Sequence, residues 1–447
     1  MNEERLLGVG NKVVERSLKL GADEAEAYIS WTLRRSISMY MGSIKAAESV
    51  EDFGIGLRIV KDRKIGFVYS SGRIDDVDRI VMRGISIANA SKRDKNWHGF
   101  PTRGDIPKVK GTFSKDLTEV TLDEMAELMY VGMKIIEEHK DVFPVGGEIS
   151  VYHVKRAIVN SNGVELGDNG TYAISYLEVV ARREGYTTPV SFDVVYERTR
   201  LPDIEELARA VCKKALESLK PIKAERGVMP VVLSPLALEE LMTYTFYESI
   251  SAENIYRGRS YYVGKLGERI CSEHISIIDD GLIDRGFFTA PFDDEGVAHK
   301  KTVIVEKGIL KGYISDSYYG NLIGGGSTGN ALRTRSYRAL PTIHPTNIIL
   351  KMPSADLDDI INDIKQGLLV EHIEGAHSSN PESGEFSIVA TPAWAIYNGK
   401  IRAVRGAMLS GNFYELMNKI ELMSKNIKQV NHLIAGYIMF NDVHVIA

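Results

Sequence analysis

Two aperiodic stretches limit how this sequence can fold. The first, "KRDKNWHGFPTRGDIPKVKG", contains Pro101, Pro107 and several glycines, and the second is the charged "KPIKAERG". Neither has helical or strand periodicity, and clusters of proline and glycine mark connections between elements. At 447 residues the chain is also too long for one average hydrophobic core. We therefore predict three units: an N-terminal α/β domain at residues 1–95, a central α+β domain at 110–222 and a β-rich C-terminal domain at 226–447.

The first unit begins with a helical pattern and continues with strand-like runs. Apolar residues recur at helical spacing from Leu6 to Leu20, and Gly21 stands where a C-terminal cap belongs. The strand-like runs are "EAYISWTL", "SISMYMG", "GIGLRIV" and "IGFVYSS". The last two are joined by "KDRK", which predicts a hairpin, and a second helix is expected from about Asp75 to Ala90.

The second unit has clear local signals for a helix, a hairpin and a further helix. Thr121 and Glu124 form a capping-box pattern ahead of an amphipathic helix. The Asn-Gly dipeptide between "RAIVNS" and "VELGD" predicts a hairpin. Asp203 then opens a helix that is expected to continue through Leu219.

The third unit is rich in strand patterns from Val228 onward. Helices interrupt them near residues 235–250, 355–365 and 411–423. The predicted fold class is therefore α+β, with an α/β N-terminal region followed by a β-rich C-terminal domain.

Charge and cysteine content exclude several classes of function. The formal net charge is -5, and no basic patch of the kind that binds duplex DNA is present, so we expect no nucleic-acid partner. No apolar run is long enough for a membrane span or a signal peptide, so we expect no membrane. Cys212 and Cys271 are too few for a disulfide framework. We therefore predict that both cysteines are buried and pack as small hydrophobic residues, and that the protein is cytoplasmic.

The glycine-rich stretch "LIGGGSTGNALRTRS", residues 322–336, is a candidate site. It is no Walker loop, because no lysine lies between Lys311 and Lys351 to neutralise phosphates. Ser327 fits the Gly-x-Ser-x-Gly pattern of a hydrolase. Three histidines downstream of Ser327 are candidate general bases: His344, His372 and His377. A nucleophile elbow, however, needs an apolar strand before the serine, whereas "SDSYYGNLI" is polar and helix-like. We therefore predict a structural or groove-forming loop in which Ser327 is not a nucleophile.

Patterns for metal binding are weak. The sequence has no His-Glu-x-x-His, whose spacing places two imidazoles on one helix face. The acidic clusters Asp279-Asp280 and Asp293-Asp294-Glu295-Gly296 lack the alternating spacing of a calcium loop. Turns and strand ends account for both clusters at least as well.

Four longer segments, in this order, occupy much of residues 228–447. They are "GKLGERICSEHISIIDDG", "APFDDEGVAHKKTVIVEKGILKGYISDSYY", "GSTGNALR" and "SGEFSIVATPAWAIYNGKIRAVRGAMLSGNFYELMNKI". Together they resemble the C-terminal domain of the TldD/PmbA (TldE) family, and "GADEAEAYISWTLRRSISMYMGSIKAAESVEDFGIGLRIVKDRKIGFVYSSG" is similar to the first domain of that family. The resemblance therefore covers nearly the whole chain.

The resemblance implies a zinc-dependent peptidase system that acts on small peptides and consists of a TldD subunit and a PmbA/TldE subunit. TldD-type members have His-Glu-x-x-x-His before "RGRSYYVGKLG" and a cysteine ligand near the C-terminus. This chain has "TYTFYE", Thr243–Glu248, at that place, and its last residues, "AGYIMFNDVHVIA", contain no cysteine. Catalytic zinc is usually held by three protein ligands. The chain is therefore expected to be of the PmbA/TldE branch, with no catalytic residue and no metal of its own, and zinc is expected on a TldD-type partner.

The same resemblance suggests a homo- or heterodimer with a groove for an extended peptide or unfolded-protein substrate. Extended peptides are commonly held by backbone pairing at the edge of a strand. Glycine beside such an edge allows the two chains to approach closely. The candidate groove residues are Gly326, Ser327, Thr328, Gly329, Asn330, Arg333, Asp294 and Glu295. Asn330 and Arg333 would fix a peptide carbonyl or carboxylate, although an ion pair explains Arg333 equally well.

Two alternatives from other classes stay open at the level of sequence. One is a stand-alone metallopeptidase with unusual ligands such as Glu248, His274 or His299. The other is a regulatory binding protein, since members of the family have been called modulators of DNA gyrase.

Overall fold

The computed structural model describes residues 2–72 and 76–447. In that part of the chain the helices α1 to α11 span Glu3–Lys19, Val77–Ala90, Lys115–Glu119, Leu122–Glu137, Ile204–Glu217, Pro235–Thr243, Phe246–Ser249, Ala252–Tyr256, Ser317–Leu322, Leu357–Asp363 and Phe413–Leu416. Short 3₁₀ helices lie at Ser336–Arg338 and Ala376–Ser378. The strands β1 to β13 span Glu24–Tyr40, Ser43–Lys61, Lys64–Ser71, Val142–Asn160, Glu165–Arg183, Tyr186–Thr187, Ser191–Glu197, Ile222–Lys223, Gly227–Leu233, Ser276–Asp280, Lys301–Glu306, Ile309–Leu310 and Ala331–Leu332. The strands β14 to β26 span Thr342–Ile343, Ile348–Lys351, Ser354–Ala355, Gln366–Val370, Ile373–Glu374, Glu385–Ala390, Ala393–Tyr397, Lys400–Arg405, Met408–Asn412, Ile420–Ser424, Lys428–Val430, Leu433–Ala435 and Ile438–Ile446. These elements confirm the predicted α+β class.

One antiparallel sheet contains the strands β1 to β7. Its order is β3-β2-β1-β4-β5-β6, and β7 also pairs with β5. Strands β1 to β3 come from the first predicted unit and β4 to β7 from the second, so the sheet joins these two units. The division into three units stays a prediction.

The alternation of side chains along β1 gives this sheet two different faces. Ala27 and Ile29 are fully buried and pack in a cluster with Leu6 and Val13 of α1. Glu26 and Tyr28 alternate with these two residues and point to the opposite face. There Glu26 pairs with an arginine of the C-terminal part. One face therefore holds the helices, and the other is covered by the C-terminal part of the chain.

Two glycines on β2 let the C-terminal part approach the sheet closely. A Cβ atom on Gly54 would lie 2.3 Å from the Tyr337 ring, and one on Gly56 would lie 2.5 Å from the Tyr337 carbonyl oxygen. The Tyr337 hydroxyl donates to Asp52 Oδ1 at 2.9 Å, also on β2. The "GIG" sequence thus positions the segment around Tyr337 against the sheet.

The C-terminal part is β-rich, as predicted. Its larger sheet has the order β18-β19-β22-β26-β9-β17-β20-β21-β8, with β23 pairing with β26 and β16 with β23. A second sheet has the order β12-β11-β10-β15-β25-β24. Nowhere in residues 2–72 and 76–447 does a helix have both the length and the apolar character needed to cross a membrane.

Several local predictions are confirmed. The Thr121 amide donates to Glu124 Oε2 at 2.7 Å and the Glu124 amide donates to Thr121 Oγ1 at 3.2 Å, which completes the capping box of α4. Asp62 and Arg63 of "KDRK" both have positive φ, 52° and 59°, as a two-residue hairpin between twisted strands requires. The Asn-Gly dipeptide lies in the turn between β4 and β5.

Other local predictions are wrong or incomplete. The helix expected at 235–250 is divided into α6 and α7, because Thr245 leaves the helical conformation with φ -128° and ψ -77°. The helix expected at 411–423 is only the short α11, and the next residues form β23, which pairs with β26. The runs "EAYISWTL" and "SISMYMG" form one strand, β1. The helix expected from Asp75 begins at Val77 with Asp76 as its N-cap, and Asp75 lies outside the described residues.

The aperiodic connection at residues 92–111 is attached to the N-terminal sheet. Trp97 and Phe100 are buried. The Trp97 indole donates to Glu24 Oε1 at 2.8 Å, and the Phe100 amide donates to Glu24 Oε2 at 2.9 Å. This connection is therefore a packed segment as well as a link between units.

Candidate functional site

A cavity of about 430 Å³ lies between the N-terminal sheet and loops of the C-terminal part. Its size is within the range of small-ligand sites. From β1, β4 and β5 it is lined by Tyr28, Ser30, Thr32, Val154, Arg156, Asp168, Gly170, Tyr172 and Ile174. From the other parts of the chain it is lined by Arg198, Phe287, Phe288, Thr289, Ala290, Asp293, Asp294, His299, Asn330, Ala331, Leu332, Arg333, Thr334, Ser336, His344, Pro345 and Thr346.

The register of the sheet places polar side chains side by side on the cavity wall. Ser30 on β1 is opposite Arg156 on β4, which is in turn opposite Asp168 on β5. Side chains at such opposed positions point to the same face and lie within contact distance. This face of the sheet is therefore charged where the helix-covered face is apolar.

Arg156 connects this wall to the C-terminal part. Its Nη1 is bound to Asp294 Oδ1, its Nη2 donates to the Phe292 carbonyl at 2.7 Å, and its Nε lies 3.3 Å from Asp168 Oδ2. Burial lowers the pKa of Arg156, but the charges of Asp294 and Asp168 outweigh burial and raise it above its usual value. Asp294 Oδ2 also accepts the Arg333 amide at 2.7 Å.

A second buried ion-pair network lies beside the cavity. Arg58 Nη2 is 2.6 Å from Glu26 Oε2 and 3.0 Å from Glu295 Oε1, and Arg333 Nη2 is 2.7 Å from Glu26 Oε1. The side chains of Glu26 and Arg333 are both 0% exposed. Ser317 donates to Glu295 through its amide and its hydroxyl. The network joins β1 and β2 to the C-terminal part, so it is a structural connection between the two halves of the molecule.

The structure brings some of the predicted groove residues together and leaves others apart. Asp294, Asn330 and Arg333 line the cavity, whereas Glu295 and the stretch 326–329 are outside its lining. Arg333 forms an ion pair with Glu26, which agrees with one of the two interpretations of Arg333 from sequence. The assignment of these residues to a peptide groove stays a prediction.

The Asn330 side chain is already engaged within the protein. Its Nδ2 donates to Asp279 Oδ2 at 2.6 Å and to the His344 carbonyl at 2.9 Å, and its Oδ1 accepts from Thr328 Oγ1 at 2.6 Å. Burial raises the pKa of Asp279 to about 6, although the hydrogen bonds of Asn330 and Thr346 favour its charged form. Asn330 therefore holds two loops together in this structure.

The glycine-rich stretch forms a compact loop after α9. Ser327 Oγ accepts the Gly329 amide at 3.0 Å and donates to the Ser315 carbonyl at 3.4 Å. Thr328 Oγ1 accepts the Ser315 amide at 2.6 Å. A helix precedes the serine and a short strand, β13, follows it, which is the reverse of a nucleophile elbow. Gly329 has a φ of 77°, and a Cβ atom there would lie 2.5 Å from the Ala298 carbonyl oxygen, so glycine is needed for this close approach.

Side-chain hydrogen bonds within the protein hold the segment Thr243–Glu248 in place. Thr245 Oγ1 donates to the Leu241 carbonyl at 2.6 Å, and the buried Tyr247 donates through its hydroxyl to Glu239 Oε2 at 2.5 Å. Glu248 is exposed and accepts a hydrogen bond from Asn254 Nδ2 at 2.9 Å. Because α6 ends at Thr243, Thr243 and Glu248 do not lie on one continuous helix. The side chains of this segment do not fit a zinc site.

Glu239 is a buried acid that contacts this segment. Its Oε1 accepts from Asn431 Nδ2 at 2.9 Å and from the His432 amide at 3.2 Å. Burial raises the pKa of Glu239 to about 8, although the hydrogen bonds from Tyr247, Asn431 and His432 favour the charged form. Burial likewise lowers the pKa of His432 to about 4.

The unusual ligands considered from sequence are dispersed. Glu248 is on α7, His299 lines the cavity, and His274 lines a separate surface hollow with Arg269. Within the described residues, no group of three or more His, Cys, Asp or Glu side chains is arranged to hold a metal ion. Burial raises the pKa of Cys212 to about 11 and of Cys271 to about 12, as expected for small hydrophobic residues in a core.

Most of the cavity wall was missed from sequence. Tyr28, Arg156, Tyr172, Arg198 and Phe287 come from five different parts of the chain. The available signal was the presence of charged residues within otherwise regular strands, such as Arg156 and Asp168. That pattern identifies a polar face but not the loops that cover it.

Comparison with known proteins gives a consistent result over the whole chain. Models of the PmbA/TldA metallopeptidases match residues 25–88 as domain 1, residues 115–219 as the central domain and residues 226–447 as the C-terminal domain. An uncharacterized protein of Methanocaldococcus jannaschii is 31% identical, over 96% of this chain and 98% of its own. The Haemophilus influenzae metalloprotease TldD homolog is 26% identical, over 95% of this chain and 89% of its own. The crystal structure of TldE from Thermococcus kodakarensis superposes with a TM-score of 0.92 at 27% identity and covers 98% of this chain and 99% of its own.

Proposed function

The chain belongs to the PmbA/TldD metallopeptidase family, and on this premise we propose that it is a PmbA/TldE-like subunit of a TldD/TldE-type zinc metallopeptidase. In this proposal the complex processes or degrades small peptides, and the chain is non-catalytic by itself. The TldD-type partner provides the zinc.

The observation that supports this proposal is the composition and packing of Thr243–Glu248. Thr243 and Tyr244 stand where TldD-type members have a zinc-binding histidine and the adjacent glutamate, and neither side chain is a usual zinc ligand or a base near neutral pH. Thr243 Oγ1 instead donates to the Glu239 carbonyl at 2.9 Å. Glu248 alone offers too few ligands to hold the metal.

The contribution of this chain to the complex is to complete an enclosed space that admits short or extended peptides. The cavity between the N-terminal sheet and the C-terminal loops has charged, hydroxyl and aromatic side chains on its wall, the composition of a recognition site. We expect a dimer whose subunits enclose this space and keep folded proteins out. A monomer of the isolated chain that also fails to associate with a TldD-type subunit would argue against this arrangement.

Reconstitution tests the proposal. The purified chain is mixed with a TldD-type subunit from the same organism, and the mixture is analysed by size-exclusion chromatography with light scattering and by cleavage of short peptides. We expect a mixed complex at micromolar concentration and chelator-sensitive cleavage that exceeds the activity of either subunit alone. The control is a TldD-type subunit with both motif histidines replaced by alanine, which should bind this chain without cleaving peptides. Failure of the intact subunits to associate would contradict the proposal.

The two alternatives have less support. The stand-alone metallopeptidase requires ligands that Glu248, His274 and His299 do not bring together in the described residues. The regulatory binding protein stays a prediction, and the net charge of -5 does not favour direct contact with DNA.

A further inference from the structure

Arg198 is a buried cation in the cavity wall whose contacts differ from those of the other buried arginines. It follows β7 and is 9% exposed. Its Nη1 donates to the Phe287 carbonyl at 2.5 Å, and its Nη2 donates to the Thr112 carbonyl at 2.9 Å. Its buried Nε has no hydrogen-bond partner among the described residues. All of its hydrogen bonds therefore go to neutral carbonyl groups.

The other buried arginines beside the cavity each contact a carboxylate. Arg58 is paired with Glu26 and Glu295, Arg156 with Asp294 and Asp168, and Arg333 with Glu26. Burying a cation without an opposite charge costs several kcal/mol, so such pairing is the rule. The charge of Asp168 favours the cationic form of Arg198, but the Asp168 carboxylate is hydrogen-bonded to Arg156. Arg198 therefore lines the cavity without a bonded carboxylate among the described residues.

The pKa of Arg198 agrees with its contacts. Burial lowers it to about 10, and the charge of Asp168 only partly opposes this effect. A carboxylate bound next to the guanidinium would reverse the shift, because a close opposite charge favours the charged form. The guanidinium remains a cation at neutral pH in either case.

Aromatic rings cluster around Phe287, whose carbonyl oxygen accepts a hydrogen bond from Arg198. The Phe287 ring lies 5.3 Å from the Tyr172 ring and 4.9 Å from the Tyr196 ring, both in edge-to-face geometry, and 5.2 Å from the Phe288 ring. Tyr172, Phe287 and Phe288 line the cavity, and Ser30 and Thr32 on β1 provide hydroxyl groups. The wall therefore combines the Arg198 guanidinium with aromatic rings and hydroxyl groups, in addition to the ion-paired Arg156 and Arg333.

We propose that this cavity binds the terminal carboxylate of a short peptide, with the Arg198 guanidinium as its cationic partner and the rings of Tyr172, Phe287 and Phe288 contacting the last side chain. The choice of a peptide rests on the proposed function. The anion site itself rests on the contacts of Arg198.

Calorimetric titration of the isolated chain tests this proposal. The probes are a tripeptide that ends in phenylalanine, the same tripeptide with an amidated C-terminus, and inorganic phosphate. We expect the free carboxylate to bind at least tenfold more tightly than the amide, and phosphate to compete weakly. Equal affinity for the acid and the amide, or no binding of the acid, would overturn the proposal. Binding of phosphate as tight as that of the peptide would also overturn it, in favour of a general anion site.

Two variants locate the site on Arg198. Arg198→Gln should lower the affinity for the tripeptide at least tenfold, whereas Arg200→Gln, a change at a side chain that is 77% exposed and paired with Glu197, should leave the affinity unchanged. If Arg198→Gln does not fold, the affinities of the unmodified chain for the free-acid and the amidated tripeptide still test the proposal. The measurement involves neither the partner subunit nor peptide cleavage. Binding of the acid together with a failed reconstitution would therefore reject the subunit role and keep the site.

Discussion

The segment Thr243–Glu248 and the cavity beside the N-terminal sheet differ in how their polar groups are used. In the segment, the hydroxyls of Thr243, Thr245 and Tyr247 are all bonded within the protein. In the cavity, Arg198 retains an unbonded donor and the wall surrounds about 430 Å³ of space. The first region has the chemistry of a packed core and the second that of a binding site. The difference supports our proposal that the chain binds a ligand in the cavity and is non-catalytic by itself.

The largest effect is expected from the ion pairs that hold the cavity wall together. Arg333→Met should lower the free energy of unfolding by about 3–5 kcal/mol, because it leaves a fully buried Glu26 short of one partner. Arg338→Met is the matched control, since Arg338 is 40% exposed in its pair with Asp52 and should cost about 0–1 kcal/mol. Denaturant titration followed by tryptophan fluorescence measures both. Equal losses in the two variants would show that the buried network does not stabilise the wall.

The next effect concerns the acid beside the packed segment. Burial raises the pKa of Glu239 from its usual 4.5 to about 8, so the native state holds a proton that the unfolded chain has lost. Stability from this group is complete below pH 4.5 and is lost as the pH rises through about 8. Glu239→Gln should remove this loss, which is on the order of 4 kcal/mol between pH 5 and 9. Melting temperatures of both proteins from pH 5 to 9 measure it.

The pH test has an internal control. Glu205→Gln changes an acid that is 62% exposed on α5, and its pH dependence should match that of the unmodified chain. If Glu239→Gln also leaves the pH dependence unchanged, Glu239 is ionised in the native state and the segment is more polar than its packing indicates.

A smaller effect is expected at Ser327. Ser327→Ala removes the hydrogen bonds to the Gly329 amide and the Ser315 carbonyl, both local and partly exposed, and should cost less than about 0.5 kcal/mol. Peptide cleavage by a reconstituted complex should remain, and a fluorophosphonate probe should not label the unmodified chain. Labelling at Ser327 would restore the serine-hydrolase hypothesis.

No gain of metal binding is expected from restoring the motif alone. The triple change Thr243→His, Tyr244→Glu and Glu248→His recreates His-Glu-x-x-x-His in sequence, but α6 ends at Thr243 and the two new histidines would lie on separate helices. Zinc content after dialysis should remain far below one ion per chain. Stoichiometric zinc in this variant would show that the packed segment can still assume the geometry of the catalytic branch.

Local chemistry made much of the fold predictable from sequence. The capping box at Thr121 and the "KDRK" hairpin depend on residues that are close along the chain, and both are confirmed. The expected helix at 411–423 is wrong because Ile420 pairs with Phe440 of β26, a long-range contact that outweighs local helix propensity. Long-range pairing is the information that a local pattern lacks.

The candidate site was less predictable for the same reason. Asp294 and Arg333 were identified through the family resemblance, whereas Arg198 was not identified. The pair of Arg333 with Glu26 connects residues 307 positions apart. The alternation on β1 shows a polar face at Tyr28 and Ser30, but the loops that cover this face are known only from the structure.

The metal and peptidase content of the isolated chain tests the central claim most directly. The chain is purified without a TldD-type protein, checked by mass spectrometry for such a contaminant, and analysed for zinc and for cleavage of short peptides. We predict no stoichiometric zinc and no cleavage by the chain alone, because Thr243 and Tyr244 do not replace the ligand and the base of the catalytic branch. One zinc ion per chain with chelator-sensitive turnover would contradict the account and favour a stand-alone enzyme.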